Sequence, residues 1–596
     1  MNAKHTWTWL LLAGALFAFI FFFERHWGQP PSGPAPRLPG LKPPEVTRLV
    51  IGPFQQREIR IEITNANWWL TQPMLYPAEK SRVEELLTGL SQLLPAQAIS
   101  RSEIQRRPKA EEEFGFDNPR TTLTIHQGQE VTTLKFGRPT APGDQVFLQI
   151  VGREDIFVVD AALAKLLPAS ADDWRDAALV DLRTLKFDTI SITNAGRLTR
   201  FQIEATNHSW RMTDPLQARA DGDYLLAMLR QLQATRVSSF VPEERRPDLD
   251  ALGLQPAGLS LTFAQGNTTV AALQFGRTNS AGQSYARRDD LNAVVTVPVE
   301  ALTVWRQDLN AFRERRLVTL PPGLAAVELR ETNGFTLERT GTNQWRVAGE
   351  KFPTDRRATE ELLERLNQLE IVKFVQDVVS AADLGRYGLT SAVRQITLKL
   401  PAAAGGTNAV ATQIAFGNVE GEIIYARRSD EDAIYALRLA DVRALPVVGW
   451  QLRDAQIGSV PGAEVVRLTL RKGNWSRELI RNGTNSWGFA PGSQGVMDVE
   501  CTEEIARQLG QLNATAWIAR GAAAAEDRRF GFATNSLTVA WESRAGAKQE
   551  LQFGGYSRGK HPFARVTLDG EPWVLEFPSA VFEFMLNCCS IPPGAP

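Results

Sequence analysis

Residues with chemical potential gather in one loop, Gly554-Gly555-Tyr556-Ser557-Arg558-Gly559-Lys560-His561. Glycines ahead of a lysine suit a phosphate-cradling loop, because backbone N–H groups can then approach the phosphates while the lysine adds charge. That loop needs Ser or Thr after the lysine to hold a metal, and a helix behind it. Here His561 and Pro562 follow, and then a strand pattern. Ser557 and Lys560 also have the Ser-x-x-Lys spacing of an acylating hydrolase, but that serine should start a helix and have partner motifs that this chain lacks. The expectation is therefore a hairpin turn. The acidic groups Glu154-Asp155, Asp289-Asp290, Asp430-Glu431-Asp432 and Asp569-Gly570-Glu571 have the residue types of a metal site or an acid/base pair. They recur at one position of a repeating unit, which reads as a solvated turn. Five histidines (His5, His26, His126, His208 and His561) include no pair at metal-ligand spacing. No catalytic residue, metal or cofactor is expected. Arg287, Arg427 and Arg565 recur on equivalent strands and are the candidate binding residues. They would form an anion-binding row, or, more ordinarily, each would pair with a nearby acid.

These positions are set by a unit written four times. Leu134-Lys135-Phe136-Gly137 returns as Leu273-Gln274-Phe275-Gly276, Ile414-Ala415-Phe416-Gly417 and Leu551-Gln552-Phe553-Gly554, with the glycines 139, 141 and 137 residues apart. Alternation buries the Phe, and the Gly permits the positive φ that a turn or bulge often needs. Each unit opens with a hairpin whose turn precedes a tryptophan: Asn65-Ala66-Asn67 before Trp68, Thr206-Asn207-His208-Ser209 before Trp210, Thr342-Asn343-Gln344 before Trp345, and Thr484-Asn485-Ser486 before Trp487. Asn tolerates left-handed backbone there. A helix follows, with Val83, Leu86, Leu87, Leu90, Leu93 and Leu94 on one face in the first unit and Leu362, Leu363, Leu366 and Leu369 in the third. A second glycine signature comes next, at Phe114-Gly115-Phe116, Leu252-Gly253-Leu254, Tyr387-Gly388-Leu389 and Phe530-Gly531-Phe532. Further strands and a closing helix, Ala161 to Trp174 in the first unit, complete an α+β fold: an antiparallel sheet with two helices, repeated like beads in series.

The chain has 596 residues, too many for one core, and a net charge of −1 with no block of like charge. That argues against nucleic acid as a partner. Its three cysteines, Cys501, Cys588 and Cys589, exclude a disulfide framework. Adjacent Cys588 and Cys589 are too close to bond to each other. Three buried free thiols are expected, with Cys501 paired to one of the others as the alternative. Trp7 to Phe23 is an apolar run without a charge. As a helix it spans about 25 Å. Trp7, Trp9 and Trp27 bracket it, and no small residues suit a cleavage site near Phe21-Phe22-Phe23-Glu24-Arg25. The expectation is an uncleaved single-pass anchor that contacts the lipid bilayer of the inner membrane, with the C-terminal body periplasmic or otherwise extracytoplasmic. Pro30, Pro31, Pro34, Pro36, Pro39, Pro43 and Pro44 make an extended stalk.

The organisation expected is 1–28 anchor, 29–46 stalk, and repeats at 47–182, 183–317, 318–457 and 458–590. The span, the stalk and the tandem x-Trp, x-Gly-[Phe/Leu] and Phe-Gly signatures together resemble the bacterial domain of unknown function 4340 family. That resemblance implies an accessory envelope role beside ABC-type export systems of the gliding-motility kind, and it carries no catalytic residues. The functional expectation is a non-catalytic envelope scaffold with a membrane-protein partner in an ABC export complex. An envelope module binding polysaccharide or peptide in an inter-repeat groove is the alternative, and an envelope hydrolase ranks third.

Overall fold

The computed structural model describes residues 17, 38, 40–205, 208–242, 247–291, 293–401, 409–458 and 460–588. The anchor expected at Trp7–Phe23 therefore lies outside the described residues, Phe17 apart, as does most of the stalk. No helix among the described residues is long and apolar enough to cross a membrane. The fold is α+β and is built on four antiparallel sheets, two of nine strands and two of eight. The first runs Tyr76–Pro77, Asn67–Gln72, Ile59–Thr64, Val46–Pro53, Thr121–Gln127, Glu130–Pro139, Gln145–Ile150, Ile156–Asp160 and Gln97–Ile99. The opening hairpin thus forms one half of each sheet and the later meander the other. The strand that follows the long helix crosses to the far edge.

Period-two alternation selects the buried face. Leu49 pairs with Ile61 on one side and Ile125 on the other, and Leu123 pairs with Leu134, so aliphatic side chains line up across the sheet. The helix Lys80–Ser91 lies on that face and buries Val83, Leu86, Leu87 and Leu90. At roughly 1.5–3 kcal/mol for each fully buried aliphatic side chain, this stripe outweighs any propensity term. The helix stops at Ser91, which leaves Leu94 exposed rather than on the stripe. Equivalent helices are Gly222–Ala234, Arg356–Asn367 and Val499–Gly510. The closing helix is shorter than its sequence pattern: Ala161–Lys165 gives way, across Pro168, to a 3-10 turn at Ala171–Trp174. Proline cannot supply the N–H that continuation requires. In the second repeat the closing segment Val299–Arg306 is itself 3-10. The hairpin turns are left-handed at Asn65, Ala66, His208, Asn343 and Asn485, as turn chemistry requires.

The two glycine signatures form one joint. A Cβ on Gly137, Gly276, Gly417 or Gly554 would fall well inside contact with the carbonyl oxygen of Phe114, Leu252, Tyr387 or Phe530 respectively. The kernel glycine is thus required by close backbone approach at a bulge, and not by a positive φ. The left-handed residues are those of the second signature: Gly115, Gly253, Gly388 and Gly531, with φ of 79°, 69°, 70° and 68°. The Arg277 and Asn418 amides donate to Leu252 O and Tyr387 O, each at 2.8 Å, and lock the joint.

The chain forms two compact units. One takes in the described residues up to Pro215 together with Gly222–Ala311, and the other Leu216–Asp221 and the chain from Phe312 onward. In the first, the segment leaving repeat one pairs with the sheet edge behind it and then with repeat two, through bridges Ala78↔Arg175 and Ala178↔Arg236. In the second, Thr354↔Arg453 and Gln456↔Asn513 do the same for repeats three and four. One continuous buried cluster there runs from Leu317 to Met585. Repeats three and four therefore share a core, which beads in series would not.

Candidate functional site

Gly554–His561 closes a hairpin. The Ser557 amide donates to His561 O (2.8 Å), Lys560 is left-handed (φ 61°), and strand Pro562–Leu568 follows directly. The Ser579 hydroxyl donates to Lys560 O (3.1 Å) and lies 2.9 Å from His561 Nδ1, so the imidazole is held by Ser579 and not by Ser557. This loop has no helix behind it to cradle phosphate.

The acidic turns are occupied by arginines: Glu154 by Arg101 (2.6 Å), Asp290 by Arg288 (2.6 Å) and Glu571 by Arg520 (2.6 Å). Glu431 departs from the solvated turn expected of its group. It is buried, and it takes Arg219 at 2.8 Å, Arg428 at 3.2 Å and the Tyr435 hydroxyl at 2.8 Å, all within the second unit. Burial and the Glu431 charge raise the Tyr435 phenol well above its ordinary value. Burial pushes the neighbouring Asp430 carboxyl up. The Arg428 hydrogen bond and charge, with Thr412, outweigh it, and Asp430 lies below the usual carboxylate range. Among the described residues no group of His, Cys, Asp and Glu is placed to hold a metal.

The three candidate arginines take separate roles. Arg427 lies 3.7 Å from Asp432. Arg565 donates to Gln552 and stacks over Phe532, 5.4 Å from the ring centre. Arg287 lines a groove of about 860 Å³ inside the first unit, with Trp69, Met74, Leu75, Val241 and Leu249 among its walls. Leu75 is 64% exposed there. Repeat one supplies Trp69, Met74 and Leu75, and repeat two the remainder, so this is an inter-repeat groove with largely apolar walls and two charged groups, the Arg287 guanidinium and the Asp290 carboxylate.

A second set of arginines recurs near the ends of repeats one to three. Arg175, Arg313 and Arg453 are buried, each inside an apolar-Arg-acid triplet near the end of a repeat. Arg175 stacks over Tyr76 and Phe240, Arg313 over Phe374 at 3.8 Å, and Arg453 over Trp573 at 4.4 Å and Trp517 at 5.0 Å. Arg313 also meets Asp377 at 2.7 Å. Burial pulls the Arg453 guanidinium below its usual value, partly offset by Asp569. The signal was recurrence of Trp174-Arg175-Asp176, Phe312-Arg313-Glu314 and Leu452-Arg453-Asp454 at the repeat spacing.

The family model described as a domain of unknown function (DUF4340) matches residues 68–209, 210–381 and 345–531. The chain belongs to the DUF4340 family. Each DUF4340 match begins at a hairpin tryptophan, Trp68, Trp210 or Trp345, so the family unit is offset from the sheets and runs across a junction into the next hairpin. No curated protein matches this DUF4340 chain. Cys501, on its long fourth-repeat helix, is disulfide-bonded. The expectation of three free thiols is therefore corrected at Cys501. The two helices that carry Cys501 and Cys588 pack together, a proximity that sequence spacing alone does not reveal.

Proposed function

We propose that this chain is a non-catalytic, membrane-anchored protein of the cell envelope that works by contact, as an accessory or scaffold part of an ABC-type export system. The observation that carries the reading is how its chemically able side chains are used. His561 is spent on Ser579, Glu431 on two arginines and a tyrosine, and Arg565 on Gln552 and Phe532. The anchor would be Trp7–Phe23, with the folded body outside the cytoplasm. The Cys501 disulfide supports that side, since disulfides persist in oxidising compartments. A strain carrying Ser557→Ala, Lys560→Ala and His561→Ala together should behave as wild type, whereas one lacking residues 2–27 should not. The reverse result would make the hairpin an active site. Co-purification from mild detergent should bring down a membrane complex.

The inter-repeat groove favours a second reading, an envelope module for a peptide or polysaccharide. Its volume lies in the range of ligand clefts, and its largely apolar walls, with Arg287 and Asp290 among them, suit a ligand that has an aliphatic part and a few polar groups. Arg287→Ala with Leu75→Ser should then abolish retention of that ligand and leave folding intact. If this pair changes neither retention nor phenotype, the groove is not the site.

A further inference from the structure

We draw no further inference here: the strongest candidate, the concavity of about 510 Å³ on the fourth sheet between Arg467, Thr469, Glu478, Ala540 and Glu542, carries nothing, because Arg467 already pairs with Glu478 and Glu542 and nothing in the structure shows what covers it.

Discussion

The joint between the two glycine signatures can be tested at Gly417. A Cβ there meets Tyr387 O and the Leu389 side chain, whose Cγ and Cδ2 would each lie at 3.1 Å. Relief requires the Tyr387 carbonyl to retreat by roughly an ångström, which strips the Asn418 amide of its 2.8 Å acceptor. Overpacking of this kind costs about 1–3 kcal/mol, and a clash with a backbone oxygen sits at the upper end of that range; the exposed Asn418 amide can turn to water and adds little. Gly417→Ala should therefore destabilise the second unit by about 3 kcal/mol, roughly an 8 °C fall in melting temperature for a body of that size. The control is Gly421→Ala. Gly421 is left-handed (φ 59°) with nothing within 4 Å, so its loss costs only the conformational term, about 1 kcal/mol.

Differential scanning calorimetry of the two variants separates crowding from conformation. Because repeats three and four share one buried cluster, the transition that shifts should carry both repeats, while the transition of the first unit stays in place. Equal costs at 417 and 421 would refute the close-approach reasoning. Loss of repeat three with repeat four melting as before would refute the shared core.

Arg453→Lys keeps the charge but loses the planar stack over Trp573 and Trp517, and should cost about 2 kcal/mol in denaturant unfolding of the second unit, with Arg453→Met no worse. Asp430 has a folded-state value below its unfolded one, so its stabilising contribution is present above about pH 4 and is lost as pH falls through the lower folded value. Asp430→Asn should lower stability at pH 7 and flatten the acid limb of the pH–stability curve; an unchanged acid limb would count against the Arg428 pairing. Thiol titration of the denatured, unreduced chain should find one free thiol, and three would remove the disulfide.

Local periodicity made the sheets legible. Leu49, Ile61, Leu123 and Leu134 alternate strictly, and the stripe Val83 to Leu90 has helical spacing, so strand, helix and their mutual faces could be read without tertiary knowledge. Leu94 marks where this ends, because helix termination depends on what the chain meets next and not on the stripe itself. The kernel glycine reads in sequence as a conformational requirement but is a steric one: the neighbour that crowds Gly417 lies at Tyr387, and no spacing in sequence announces that approach. Glu431 reads in sequence as a solvated turn because it shares its position with other acidic turns, yet Arg219, Arg428 and Tyr435 converge on it. The junction arginines were the converse case. Their triplet was in plain view, but an arginine after a Trp, Phe or Leu suggests a surface residue until the aromatic rings that receive it are placed. A repeating chain thus hides its joints more than its bodies. Residues that hold one unit together are close in sequence and share a period, whereas those that hold units to one another meet only once the sheets exist. If contact is this chain's function, the informative residues are those at the joints, where in repeats one to three the closing segment docks on the edge before its own long helix.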